Sequence, residues 1–339
     1  MNIVVEEAVA QLKADAAAVL IFNPVTLMLE HAAGYGFRTE LAVSSRIQLG
    51  RGHAGNAALK RRTVSIPDLS SEPKNSFARS AMVRDEGFIA QHAAPLIAKN
   101  ELKGVLEVFH RQKFVPDQEW LERLEAFADQ AAIAIDNASL LGELKNTMLE
   151  LQLAYDETIE GWSRAMDLRD RETEGHAQRV TEMTLQIARA MGFSGEQLVH
   201  IRRGALLHDI GKLGVPDEIL FKPAPLTERE WEIMRRHPQY AYEMLLPIEY
   251  LHPALEIPYC HHEKWDGTGY PRGLKGEEIP LAARIFAVAD VYEALTSNRP
   301  YRKGWSKEEA LEYIRQQSGK HFDPKVVEIF LQWIEKGLL

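Results

Sequence analysis

The second half of this 339-residue chain brings together imidazole and carboxylate side chains in a pattern suited to binding metal ions. The seven candidates are His176, His208, Asp209, His237, His261, His262 and Asp290. Two of the pairs, His208–Asp209 and His261–His262, are adjacent in sequence, and adjacent side chains on a helix point about 100° apart, which favours bridging between neighbouring ions. Asp290 lies in an apolar run, where an unpaired carboxylate would be costly. Together these residues predict a metal centre.

Glu172 is an eighth candidate ligand, four residues before His176. Side chains at this spacing project from one face of a helix and could reach the same ions. The alternative, an ordinary solvated glutamate, stays open because Arg171 and Glu174 make the segment polar. Imidazole and carboxylate ligands without a thiolate suit iron, manganese, zinc or nickel. Seven or eight ligands exceed the four of a closed structural zinc site.

Paired divalent ions can share a hydroxide, lower its pKa and direct it at phosphorus, and Asp209 is the natural bridging ligand. Lys212 follows Asp209 by three residues and could hold a phosphate oxygen as a point charge. Arg299 and Arg302 could fork onto a second phosphate, with an exposed basic helix end as the alternative. Such local cations are needed because the chain has a net charge of −9, which argues against DNA or an anionic membrane as a partner.

Length and composition predict a globular, two-domain protein, since 45% of the residues are hydrophobic and 26% are charged. No run approaches the roughly 18–20 apolar residues that span a membrane. The acidic N-terminal segment does not resemble a signal peptide. Cys260 is the only cysteine, which excludes an intrachain disulfide and suits a reducing compartment. We therefore expect a cytoplasmic protein.

Helix and strand signals alternate in the first half of the chain. A helix over 2–14 precedes several short apolar runs separated by turn residues, and a helix over 118–140 follows them, which predicts an α+β domain. After residue 170 every long segment is predicted to be a helix. These ranges are 174–191, 195–208, 227–235, 239–246, 281–296, 306–317 and 324–336. The second domain is therefore predicted to be all-α.

Apolar residues recur at steps of three and four between residues 135 and 168, close to a heptad seam. They are Leu141, Leu144, Met148, Leu151, Tyr155, Ile159, Trp162 and Met166. Because this stripe crosses a probable domain boundary, we predict a connecting helix that pairs with a second copy of the chain. One long helix packed on its own domain is the alternative.

Two specific motifs carry a family resemblance. Residues 208–212 read HDIGK, and residues 261–271 read HHEKWDGTGYP. They closely resemble the motifs of the HD-GYP phosphodiesterases, a branch of the HD metal-dependent phosphohydrolases that degrades cyclic di-GMP. The resemblance runs from about residue 156 to residue 339 and includes Gly175–His176 and His237–Pro238.

The resemblance implies that the seven candidates are ligands of a di- or trinuclear site and favours iron or manganese. Members with a glutamate at the position of Glu172 can hold a third ion, so we expect three ions, with two as the alternative. It implies catalysis at His208 and Asp209 through a metal-bridging hydroxide, with Lys212 assisting. Lys212, Arg299 and Arg302 would bind phosphate. Tyr270 would contact the substrate or the leaving oxygen, or would merely brace its loop.

The first domain resembles a GAF sensor domain across residues 1–140. The motifs are the stretch 61–68, the strands at 94–96 and 104–106, and the helix at 118–140. Gly50, Gly52 and Gly55 also fit a dinucleotide-binding fingerprint, but they lie too far into the domain for one. The ligand of this domain is unknown. Because the domain has no cysteine, a cysteine-attached bilin is excluded; His53, His92 and His110 could ligate haem, although we favour core histidines.

The sequence thus predicts a GAF-like domain at 1–138, a connecting helix at 139–168 and an HD-type domain at 169–339. The expected reaction is hydrolysis of cyclic di-GMP to pGpG, and onward to GMP in some members of the family. The predicted protein is a homodimer through the connecting helix and the GAF-like domain, which regulates access to the metal site. The alternatives are a non-catalytic cyclic-dinucleotide receptor, an HD phosphohydrolase of another nucleotide, and a redox sensor that uses the metal cluster itself.

Overall fold

The computed structural model describes residues 1–39, 46–71, 81–170, 175–298 and 303–336. The chain divides into two compact units, residues 1–148 and residues 149–339. Within the described ranges, no helix has the length and apolar character needed to cross a membrane.

The first unit is built on a six-stranded antiparallel sheet with the strand order β3-β2-β1-β6-β5-β4. The strands are β1 Ala16–Asn23, β2 Met28–Tyr35, β3 Arg46–Gln48, β4 Val64–Ile66, β5 Ala90–Ala98 and β6 Glu101–His110. The first five residues of β1 are all buried, as expected for a central strand covered on both faces.

Helices cover both faces of this sheet. They are α1 Asn2–Leu12, α2 Gly52–Lys60, α3 Ala81–Glu86 and the first turns of α4 Gln118–Asp170. Successive residues of a strand point to opposite faces, so Leu106 packs with α1 and α4, whereas Val105 packs with α2. The predicted α+β fold of this unit is confirmed. The helix predicted over 118–140 is the N-terminal part of α4, which continues to Asp170.

Helix α4 is one continuous helix of 53 residues, where the sequence predicted two overlapping segments. Most of the predicted seam is exposed, with Leu141 59%, Met148 63% and Tyr155 46% accessible. Ile159 and Met166 differ, because both are buried in the second unit against the helix that ends at Leu206. The seam therefore splits at its C-terminal end into an exposed row and an internal packing row.

The second unit is helical, which confirms the predicted all-α domain. In its described residues it contains no strand, and its one isolated β-bridge joins Ser318 and Phe322. Its helices after α4 are α5 His176–Ala190, α6 Glu196–Leu206, α7 Asp217–Leu220, α8 Glu228–Met234, α9 His237–Leu245, α10 Glu256–Cys260, α11 Leu281–Thr296, α12 Lys307–Gln316 and α13 Pro324–Glu335.

Helix α11 lies at the centre of the main core of this unit. Phe286 and Val288 are fully buried, and the core around them includes Val180 of α5 and Phe330 of α13. A helix that is apolar on nearly every side is expected to be buried in this way. Asp290 interrupts the apolar sequence of α11. The packing of this helix in the core therefore fixes the position of its carboxylate.

Candidate metal centre

The candidate ligands lie where helices begin and end. His176 is the first residue of α5, and His237 is the first residue of α9. The predicted helix over 195–208 ends earlier, at Leu206, so the His208–Asp209 pair lies in a turn before a 3₁₀ segment at 210–214. His261 and His262 follow the end of α10. Among the described candidates, only Asp290 lies in the interior of a helix.

A close approach of two backbones explains the turn after His208. A Cβ atom on Gly211 would lie 1.9 Å from the carbonyl oxygen of His237, so only glycine allows this contact. The contact brings the segment carrying Asp209 directly against the start of α9. Glycine in the HDIGK sequence therefore has a packing role: it lets two ligand-bearing elements meet.

The structure brings all seven described candidates together in two adjacent groups. Ligand atoms lie within 4.8 Å of one another in each group: Asp209, His237, His261 and His262 form the first, and His176, His208 and Asp290 form the second. The groups meet at the adjacent pair, where His208 Nε2 lies 3.1 Å from Asp209 Oδ2. The number of ligand atoms, and their being nitrogen and oxygen, suit a site that holds more than one metal ion.

Hydrogen bonds to backbone carbonyls fix the orientation of three imidazoles. The Nδ1–H groups of His208 and His237 donate to Ala205 and Met234, each over 2.8 Å, and that of His261 donates to Ile257 and Pro258 over 3.1 Å. Because a carbonyl only accepts, these rings carry their proton on Nδ1. Nε2 is then the nitrogen that faces the other candidate ligands, as is usual for a histidine that binds metal. In His208 this nitrogen lies next to Asp209, whose carboxylate raises the pKa of the ring against the effect of burial.

The lone pairs of His237 and His261 point at each other. Their Nε2 atoms are 3.3 Å apart, and with protons on both Nδ1 atoms neither nitrogen can donate while the rings are neutral. Burial lowers the pKa of His237 and lowers that of His261 to about 3, so both rings are neutral. Burial also lowers the pKa of His262. A shared cation is the natural partner for these nitrogens, because metal binds the neutral imidazole.

His176 is held in a different way, by a buried carboxylate. Its Nδ1 lies 2.5 Å from Glu293 Oε2, and its Nε2 lies 3.5 Å from Asp290 Oδ1. Burial alone would lower the pKa of His176, but these two carboxylates outweigh it and raise the pKa to about 10. Glu293 is 4% exposed and also accepts hydrogen bonds from Arg179 and Ser297. Glu293 therefore fixes the ring that faces Asp290.

Asp209 contacts histidines of both ligand groups as well as a lysine. Its Oδ1 lies 3.4 Å from His237 Nε2, and its Oδ2 lies 2.6 Å from Lys212 Nζ. Burial would raise its pKa, but the nearby His208 and Lys212 hold the pKa well below its usual range. Lys212 also contacts Asp170, the last residue of α4, at 3.1 Å. An ionised Asp209 thus faces both groups of ligands.

Tyr270 lies beside the centre on an irregular loop. Its ring centroid is 4.7 Å from that of His262, and burial raises its pKa, so the phenol keeps its proton at neutral pH. The loop is folded over the ligands by Glu263, which is 2% exposed and accepts the N–H groups of Arg272 and Leu274. A Cβ on Gly269 would lie 2.3 Å from Lys264 N, so glycine permits the fold-back.

Three predicted residues lie outside the described residues. They are the candidate ligand Glu172 and the candidate phosphate contacts Arg299 and Arg302. Conversely, no role was predicted from the sequence for Glu293, Asp170 or Glu263. Glu293 could have been found from its spacing, since it follows Asp290 by three residues in the same apolar helix. Asp170 had no such signal, because its contact with Lys212 spans 42 residues.

Comparison with protein families agrees with both halves of the fold. Residues 162–326 match the model of the HD domain. Residues 1–135 match the model of the GAF domain.

Curated relatives of this chain are bacterial phosphodiesterases. A cyclic di-GMP phosphodiesterase of Thermotoga maritima is 45% identical over 203 residues, which are 58% of this chain and 54% of that protein. A cyclic di-GMP phosphodiesterase response regulator of Xanthomonas campestris is 41% identical over 57% of this chain and 52% of its own length. A 3′3′-cGAMP-specific phosphodiesterase of Vibrio cholerae is 38% identical over 62% of this chain and 40% of its own length.

The chain thus spans about half the length of these curated relatives. The two family models give the order and the nature of the two halves. The chain carries a GAF domain followed by an HD domain, and it is homologous to bacterial phosphodiesterases named for cyclic di-GMP or 3′3′-cGAMP.

Proposed function

We propose that this chain is a metal-dependent phosphodiesterase that hydrolyses cyclic di-GMP to pGpG and onward to GMP. The observation that carries the proposal is the convergence of seven nitrogen and oxygen ligands into two groups that meet at His208 and Asp209. A single structural ion needs only about four ligands, so the donor set is suited to a multinuclear catalytic site. Two relatives named for cyclic di-GMP support this substrate.

The ligands present fit iron or manganese, which accept imidazole and carboxylate donors. Bound divalent ions supply an activated water and neutralise charge on the phosphate. The chain's own groups prepare this chemistry: the backbone carbonyls of Ala205 and Met234 orient His208 and His237, and burial keeps His237 neutral. We assign Asp209 as the ligand shared by the two groups. Glu172 is our candidate ligand for a third ion.

Lys212 and Tyr270 provide the two described polar contacts that we assign to the substrate. The ammonium of Lys212 is a compact positive charge next to the ligands, suited to a phosphate oxygen. The phenol of Tyr270 is a neutral donor beside His262, suited to a phosphate oxygen or to the leaving oxygen. We assign Arg299 and Arg302 to the second phosphate, because an arginine can bind phosphate in a bidentate manner and a lysine cannot.

We also propose that the GAF domain regulates this reaction in a homodimer formed through α4. Helix α4 begins in the first unit and ends at Asp170, whose carboxylate contacts the ammonium of Lys212. A change in the packing of this helix thereby reaches a residue of the proposed active site. The exposed apolar row on α4 supports pairing with a second copy.

A competition reaction tests the substrate. Equimolar cyclic di-GMP and 3′3′-cGAMP are supplied together to the manganese-loaded full chain, and the products are separated by chromatography. We expect pGpG and then GMP to appear before products of 3′3′-cGAMP. Preferential loss of 3′3′-cGAMP would transfer the assignment to the substrate of the Vibrio relative. Loss of neither dinucleotide would overturn the proposed activity.

A further inference from the structure

An apolar groove of about 190 Å³ lies in the second unit, between the last turns of α4, the 210–214 segment and the end of α9. Its lining includes Trp162, Ala165, Met166, Leu213, Met244 and Ile248. Trp162, Leu213 and Met244 remain 41%, 45% and 44% exposed, which is unusual for large apolar side chains around a single depression. Two elements that carry proposed ligands or substrate contacts form its wall: the segment of Lys212 and the helix that begins at His237.

The exposed row of α4 leads into this groove. Counted in sevens from Leu141, the a and d positions are Leu141, Leu144, Met148, Leu151, Tyr155, Thr158, Trp162 and Ala165. All eight are exposed. The last two, Trp162 and Ala165, are also groove residues. A heptad seam of this kind buries its apolar residues only against another helix.

The charges of α4 favour a second copy as that helix. Glu143, Glu150, Glu157 and Arg164 recur every seven residues at the c position, away from the seam. Of the eight flanking e and g positions between 140 and 166, only Lys145 is charged. Two copies aligned in parallel and in register therefore place no like charges opposite each other at the flanks. Thr147, Ala154 and Gly161 at the g positions are small and allow close approach.

We propose that α4 of a second copy fills this groove, so that the dimer interface of the protein includes Leu213 and Met244 as well as the seam of α4. This inference rests on the homodimer of the proposed function and extends it to the metal-bearing unit. Leu213 is adjacent to Lys212, and Met244 lies on the helix that begins with His237. The partner helix therefore packs directly on two elements of the centre, which gives α4 a route to the active site across the dimer.

Substitution at the groove wall tests the inference without altering α4. Met244→Glu places a charge in the groove, and Leu246→Glu places the same charge on a residue that is 42% exposed and does not line the groove. Sedimentation equilibrium of the full chain measures the dimer dissociation constant. We expect at least a tenfold weaker dimer for Met244→Glu and less than a twofold change for Leu246→Glu. Equal dissociation constants for the two variants would overturn the inference.

Cysteine cross-linking tests the register independently. Thr158→Cys adds a thiol at a d position, and Glu157→Cys adds one at a c position. The native Cys260 does not compete, because it is 3% exposed and burial raises its pKa to about 12. We expect a disulfide-linked dimer of Thr158→Cys alone. Linkage of neither variant would overturn the parallel arrangement.

The two proposals fail separately. A chain that sediments as a monomer but hydrolyses cyclic di-GMP would overturn the dimer and this inference while leaving the phosphodiesterase in place. A chain that dimerises through the groove but cleaves no cyclic dinucleotide would overturn the proposed activity alone.

Discussion

The ammonium of Lys212 contacts the carboxylate of Asp170, the final residue of α4, over a distance of 3.1 Å. Both side chains are largely buried, with 16% and 5% of their surface exposed. Lys212 also lies 2.6 Å from Asp209, so its charge is shared between the metal centre and the end of the helix that joins the two domains. Asp170 therefore contributes, together with Asp209, to the position of the ammonium.

Replacing Asp170 should lower turnover without emptying the centre. A hydrogen bond to a charged group contributes about 1.5–3 kcal/mol, and about 1.4 kcal/mol corresponds to a tenfold change in rate. We expect Asp170→Asn to reduce kcat by roughly 10- to 100-fold at unchanged metal content. Steady-state kinetics and elemental analysis on the same sample measure both quantities.

The neighbouring pair provides the control for Asp170. Arg169 bonds to Asp217 over 2.7 Å, and the Asp217 side chain is 66% exposed, so Asp217→Asn should leave kcat within twofold of the parent. An Asp170→Asn enzyme with the parent's kcat would show that Asp170 does not position Lys212.

Glu293 should control metal occupancy of the group that contains His176. The substitution Glu293→Gln keeps an acceptor for the Nδ1–H of His176 but removes the negative charge that holds the ring. Loss of such a partner typically costs 10- to 100-fold in metal affinity. We expect about one ion fewer per chain after dialysis against weak chelator. Glu182→Gln, on an exposed part of α5, is the control, and equal metal content in the two variants would contradict the role of Glu293.

The GAF domain should lose stability in mild acid because of two buried histidines. His92 and His110 are 0% and 1% exposed, their rings are 5.7 Å apart, and neither Nε2 has a hydrogen-bond partner. Burial, followed by the charge of His110, lowers the pKa of His92 from 6.5 to about 3. Burial also lowers the pKa of His110, against the opposing effect of Asp15.

The direction of the pH effect follows from these pKa values. Between pH 6.5 and 3 the unfolded chain binds a proton at His92 that the folded domain does not bind, so stability is complete above pH 6.5 and declines as the pH falls toward 3. At pH 5 the loss from His92 alone is about 2 kcal/mol. Hydrogen exchange of β5 and β6, corrected for intrinsic rates, measures it. A His92→Leu variant should show a smaller loss, and an equal loss in both proteins would refute the assignment.

The sequence was sufficient to predict what side-chain chemistry and periodicity determine. The ligand residues were recognisable because histidine pairs and an aspartate in an apolar helix are costly unless they have a partner, and the helices of the second domain follow from their apolar spacing. The partners of those ligands were not predictable in the same way. Glu293 reaches His176 across 117 residues of chain, and only the packing of α5 against α11 brings them together.

The positions of local turns were also not predicted from the sequence. The helix that ends at Leu206 was predicted to run through His208, because apolar spacing does not register the contact of Gly211 with His237. Similarly, the seam on α4 was predicted as one row, although Ile159 and Met166 face their own domain. Periodicity gives the apolar face of a helix, and tertiary packing decides which part of that face is buried internally.

We propose that the His208–Asp209 centre cleaves cyclic di-GMP with the help of bound metal. The direct measurement is product-resolved turnover of cyclic di-GMP by the full chain, with iron, manganese and zinc quantified, with and without oxygen, beside the double variant His208→Ala, Asp209→Ala. We predict pGpG and GMP that appear only with bound iron or manganese, and loss of both products in the double variant. Fully metallated protein that binds cyclic di-GMP and leaves it intact would contradict the proposed activity and identify the chain as a receptor.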